Sequence, residues 1–175
     1  MSRPKLAHEL RASAVITPDT SFVAISSQTV LLPFPNPPPE LLVSNEVDLY
    51  PALHRERADQ TDGVIGQLSM FDDTFGCFVD GIGPDTAVMP AYWIDFAWLH
   101  CIDEFTAVTL DLRDIAVSRV VAGRDKDANW VRGGLRYKMK DPARLKQRLR
   151  ALDASKLPVK TYVARANCRA IEATQ

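Results

Sequence analysis

Apolar and polar positions alternate most cleanly over residues 43–51, VSNEVDLYP, where Val43, Asn45, Val47 and Leu49 interleave with Ser44, Glu46, Asp48 and Tyr50. A period of two predicts a strand, closed by Pro51, with Glu46 and Asp48 on one face. Upstream, 6–15 suits a helix, Thr17-Pro18-Asp19 a turn, and FVAI, 22–25, a short buried strand. Ser26-Ser27 then caps a helix over QTVLL. The run PFPNPPPE, 33–40, carries five prolines in eight residues and reads as an extended loop.

Residues 52–75 read as helical around DGVIGQLSMF, followed by a strand and turn in GCFVDGIGPD. DFAWLHCI and FTAVTLDL are two strands of a hairpin turning at Asp103-Glu104. From Asp111 the period changes to that of helices. One runs over 111–123, with Asp111 as its cap and Gly123 as its stop, and a second over about 125–137. A third opens at Asp141-Pro142 with Leu145, Leu149 and Leu152 on one stripe. VKTYVA, 159–164, suits a short strand. The order predicts an α+β fold in one domain over 1–175: a sheet-containing core at 20–112, a helical part at 113–152 and a tail at 153–175.

Hydrophobic residues make up 46% of the 175 and charged residues 25%, which is globular composition with enough apolar surface for a core. No run approaches the ~20 apolar residues of a membrane span, and MSRPKLAHEL lacks the apolar stretch of a signal peptide, so a cytoplasmic protein is expected. Cys77, Cys101 and Cys168 show no CxxC spacing and read as free thiols of a reducing compartment. The net charge of −1 conceals a division: 40–112 holds 2 Lys/Arg against 14 Asp/Glu, whereas 113–150 holds 12 against 4. Such opposite fields attract each other across a fold, form a solvated basic helical face, or set an acidic metal-binding wall against a basic phosphate-binding one.

Two sets of residues stand out from this pattern. Glu46 and Asp48, with Cβ atoms roughly 7 Å apart on one strand face, repel each other unless water, a cation or a basic group intervenes. Their face therefore looks into solvent or holds a divalent metal. On the 111–123 helix Arg119 falls within the stripe of Leu112, Ile115 and Ala116, and Asp127 shares the next helix's stripe with Trp130, Val131 and Leu135. An isolated buried charge costs several kcal/mol, so these two form a structural ion pair or face a cavity.

A strand (FVAI), a small-residue turn (Ser26-Ser27), a helix, and a strand carrying acid-x-acid together resemble the minimal nucleotidyltransferase fold of the polymerase-β superfamily. LDLRDIAVSRVVAGRDKD, 110–127, and FGCFVDGIGPDTAVMPAYW, 75–93, resemble an uncharacterised bacterial branch related to AbiEii-type toxins. The resemblance spans most of 20–150. It implies a nucleotidyltransferase-like mixed sheet flanked by helices, with Mg²⁺ (or Mn²⁺) on Glu46 and Asp48. Phosphates would lie at Ser26 and Ser27, with Arg119, Lys126 and Asp127 completing the catalytic set. Asp80 is a candidate third carboxylate. Implied partners are an NTP, an RNA end (such as tRNA) or protein hydroxyl as acceptor, and an oligomer or cognate antitoxin, with no membrane.

The chain departs from the family pattern at three places. The turn opens with Ser26 where Gly is usual, the first strand acid is Glu46 where Asp is usual, and position 119 is Arg where Lys is expected. The alternatives left open are a member that binds without turnover, acting as an interaction module, and a purely structural α+β protein.

Overall fold

The computed structural model describes residues 1–83, 86–139 and 141–152. Its fold class is α+β: among these residues, six α-helices and a five-stranded mixed sheet, in two compact units. The first unit comprises residues 1–86 and 97–109, and the second residues 87–96 and those from 110 onward.

In the first unit, helix α1 (Arg3–Ile16) leads into strand β1 (Ser21–Ala24), and β2 (Glu46–Pro51) follows the proline loop. Helices α2 (Ala58–Ile65) and α3 (Met70–Phe75) precede β3 (Phe78–Gly81), and β4 (Trp98–Ile102) and β5 (Phe105–Thr109) form the expected hairpin. The strand order is β3-β2-β1-β5-β4. β1 runs antiparallel to β2 and parallel to β5, while β2 and β3 are parallel.

The register defines the two faces. Phe22, Ala24, Val47, Leu49, Val79 and Ala107 share one face and cluster with Leu6, Ala7 and Leu10 of α1 and Ile65 of α2. Glu46, Asp48 and Asp80 point to the other. α2 lies close against β3 because Gly81 has no side chain: a Cβ there would sit 2.1 Å from the carbonyl oxygen of Ala58. The strand pattern read over 43–51 begins only at Glu46. Val43 precedes it and is exposed.

The segment after Ser26 is a 3-10 helix, Ser27–Leu31, rather than a longer helix, because the prolines from Pro33 onward remove the N–H donors needed to extend it. All five of its residues are buried. A second 3-10 turn, Pro39–Leu41, interrupts the proline loop and buries Leu41.

The second unit holds a 3-10 turn, Trp93–Phe96, and helices α4 (Leu112–Ala122), α5 (Asp125–Arg136) and α6 (Pro142–Arg150). The predicted caps are present. The carboxylate of Asp111 accepts a hydrogen bond from the Arg113 N–H, Asp141 does the same for Ala143, and Gly123 ends α4 in the left-handed region at φ 68°. On α6 the buried positions are Leu145 and Arg148, so the expected leucine stripe is shared with a cation. Among the described residues no helix is long and apolar enough to cross a membrane. The expected strand at 159–164, Cys168 and the 153–175 tail lie outside the described residues.

Candidate functional site

The Ser26-Ser27 turn is fastened to the acidic strand. The Ile25 N–H donates to the carbonyl of Asp48 at 2.9 Å, and the Ser26 hydroxyl donates to the carbonyl of Glu46 at 3.0 Å. The same hydroxyl accepts the Gln28 N–H at 3.2 Å, as an N-cap does. Both serines are buried, so Ser26 serves as a clasp between turn and strand, its donor and one acceptor position already used.

Glu46 and Asp48 lie half-buried on β2, and parallel pairing sets Asp80 directly across from Asp48. Neighbouring strands are about 4.8 Å apart, so three carboxylates occupy adjoining positions on one face. Partial desolvation, then the negative charges of Asp62 and Glu46, raise the Asp80 carboxyl above its ordinary value. The two like charges thus add to the desolvation that already opposes ionisation there. Asp62, on α2, is a contributor with no signal in the strand pattern. Its nearness to Asp80 follows from the close approach of α2 that Gly81 permits. Among the described residues no group of three or more His, Cys, Asp or Glu is arranged to hold a metal ion unaided.

The remaining predicted residues belong to the helical unit. Arg119 and Asp127 are joined directly, Nη1 to Oδ1, and Asp127 is fully buried. Nε of Arg124 reaches the other carboxylate oxygen at 2.6 Å, and the Arg119 guanidinium lies 5.1 Å from the centre of the Trp130 ring. An inaccessible carboxylate clasped by two guanidinium groups matches the structural ion pair among the alternatives read from the sequence. Lys126 is exposed beside it in the first turn of α5.

A second polar cluster escaped the sequence reading. Asp114 on α4 is fully buried and has the Arg148 guanidinium 3.6 Å away. Burial pushes its carboxyl up to about 6, against the opposing pull of Arg148. Asp111, by contrast, is held below the usual range. Burial works to raise it, but the paired hydrogen bonds from Arg113, both 2.6 Å, outweigh that effect. The available signal was the position of Arg148, three residues after Leu145 and four before Leu152 on the apolar stripe.

Comparison with family models, curated proteins and solved structures finds no match to this chain.

Proposed function

We propose that the protein is a cytoplasmic Mg²⁺-dependent nucleotidyltransferase that moves NMP from an NTP to an RNA end or a protein hydroxyl. The observation that carries this reading is the fastening of the small-residue turn to a strand with Glu46 and Asp48 on one face, Asp80 being paired opposite Asp48. Mg²⁺ takes oxygen ligands and is commonly bound by one or two carboxylates completed by substrate phosphates, so a surface of paired acids suffices once the nucleotide is present. When bound, the ion supplies charge stabilisation to the attacking and leaving oxygens of an in-line displacement.

In this reading Glu46 and Asp48 hold the metal and Asp80 adds negative charge beside it. Ser26 and Ser27 fix the turn against which the triphosphate lies. Arg119 and Asp127 stabilise the helical unit.

The binding module without turnover is the second reading. It is favoured by the commitment of the Ser26 hydroxyl to Glu46 and Gln28, which leaves it little freedom to meet a phosphate.

Calorimetry with each NTP, with and without Mg²⁺ or Mn²⁺, tests the site. Metal-dependent NTP binding that Asp48→Asn abolishes is expected, and binding indifferent to Asp48→Asn removes the metal assignment. Incubation with labelled NTPs, either metal, and total RNA or cell extract then distinguishes the two readings. Labelled acceptor, increased by Glu46→Asp, supports transfer. No labelling by either form leaves the binding module.

A further inference from the structure

Beside α6, within the helical unit, lies a cavity of about 570 Å³ that the nucleotidyltransferase reading does not use. That volume falls within the range of small-molecule sites. Among the described residues its wall is formed by Tyr92, Phe96, Arg113, Arg144, Gln147, Arg148 and Ala151, three guanidinium groups with two aromatic rings and no acid. We propose that this pocket binds a nucleoside phosphate, its base against the Tyr92 and Phe96 rings and its phosphate on the guanidinium groups of Arg144 and Arg148.

The guanidinium groups differ in how firmly they are held. Arg113 is fixed by two hydrogen bonds to Asp111. Arg148 is only 9% exposed, with its guanidinium 4.2 Å from the centre of the Phe96 ring, 5.1 Å from that of Tyr92, and Asp114 behind it. It is thus oriented before any anion arrives. Arg144 is 65% exposed and 3.6 Å from Asp141, a surface pair of the kind that contributes little, so it can turn toward a phosphate at small cost.

The rings decide the kind of anion. Phe96 remains 46% exposed although it is a large apolar ring packed edge-on to Tyr92 at 5.9 Å. Planar bases stack on such rings whatever their sequence, and on arginine planes as well. Inorganic phosphate would leave the rings wet, and a neutral apolar compound would leave the guanidinium groups unmatched. The Gln147 amide offers both a donor and an acceptor to a base edge. The excess of 12 Lys/Arg over 4 Asp/Glu across 113–150 favours the approach of a phosphodiester. The shared chemistry, a base joined to a phosphate, is found in a free mononucleotide and at the end of a single-stranded RNA.

Fluorescence anisotropy of the full chain with a dye-labelled five-nucleotide single-stranded RNA tests the assignment. EDTA is present throughout, so that the carboxylate site plays no part. Phe96→Ala and Arg144→Ala should each weaken binding at least tenfold. Arg132→Ala, which removes the same charge from an exposed position on α5, should change it less than twofold. Phe96→Leu, which keeps the apolar volume, serves should the alanine variant unfold, and it too should weaken binding.

Displacement by unlabelled AMP marks the pocket as a mononucleotide site, and displacement by unlabelled RNA alone marks it as a strand-end site. Each of the following overturns the proposal: no binding, equal losses from Arg144→Ala and Arg132→Ala, full affinity in Phe96→Leu, or competition by inorganic phosphate or an acidic aromatic peptide as effective as that of AMP and unlabelled RNA.

Discussion

Removing the negative charge at Asp127 separates a structural ion pair from a phosphate-binding one. Its carboxylate is fully buried, the Arg119 side chain bonded to it is 12% exposed, and that of Arg124 is 58% exposed. Asp127→Asn leaves Arg119 buried beside a neutral amide, which offers a single acceptor oxygen where the carboxylate offered one each to Arg119 and Arg124. Breaking a buried pair on one side costs about 3–5 kcal/mol. Arg124 adds little to that sum because water can take over its hydrogen bonds. For a chain of this length each kcal/mol lowers Tm by about 2–4 °C, so a fall on the order of 6–20 °C is expected.

Arg119→Met should cost somewhat less, about 2–4 kcal/mol. Arg124 still reaches the abandoned carboxylate, but a charged hydrogen bond and the contact with the Trp130 ring are lost. Arg124→Met should cost no more than about 1 kcal/mol. Urea unfolding followed by tryptophan fluorescence, with thermal melts in parallel, gives the three values. The Arg119→Met and Asp127→Asn cycle should show a coupling of about 1–3 kcal/mol. Refutation is straightforward: Arg119→Met that leaves stability within about 1 kcal/mol of wild type, yet lowers NTP affinity, makes Arg119 a phosphate ligand and not a structural partner.

Three further outcomes follow from the sheet-bearing unit. Glu9 on α1 is fully buried, and desolvation pushes its carboxyl from 4.5 to about 8. The folded state therefore holds the proton more tightly than the unfolded one, and stability should fall as pH rises from about 4.5 to 8, by on the order of 4 kcal/mol. Glu9→Gln should flatten that fall in urea melts across the interval, and an unchanged slope rejects the assignment. Ser26→Ala should cost about 1–3 kcal/mol in chemical denaturation, because it strands the Glu46 carbonyl and removes the cap on Gln28; a loss under 0.5 kcal/mol contradicts the clasp. Gly81→Ala forces α2 off β3, since a Cβ 2.1 Å from the Ala58 carbonyl oxygen cannot be accommodated by side-chain motion. A drop in Tm is expected, whereas Gly63→Ala, with open space around it, should be nearly neutral or stabilising.

Features set by local chemistry were legible in the sequence, and those set by contact between distant segments were not. The α+β class, the hairpin at Asp103-Glu104, and the caps at Asp111, Gly123 and Asp141 each depend on a few neighbouring residues whose preferences agree with the structure. The 3-10 geometry after Ser26 was obscured because QTVLL reads as an ordinary helix until the following prolines are counted against its last turn. The pairing of Asp48 with Asp80 depends on β2 and β3 being parallel neighbours, which no local pattern records. Arg148 was hidden for another reason. Arginine in a basic helix is usually solvated, and the buried acid at Asp114 together with the Phe96 and Tyr92 rings draws this one inward.

The position of β3 at one edge of the described sheet has a consequence for the protein's solubility. An edge strand exposes unpaired N–H and C=O groups on which a second chain can add its own strand, and natural sheets guard against this with short edges and charge. β3 is four residues long and carries Asp80 within it, with Asp48 alongside. The same negative charge that would draw a divalent cation therefore repels an incoming strand. Acid strong enough to protonate Asp80 removes that guard, so association through this edge should begin at a pH higher than an ordinary aspartate would allow.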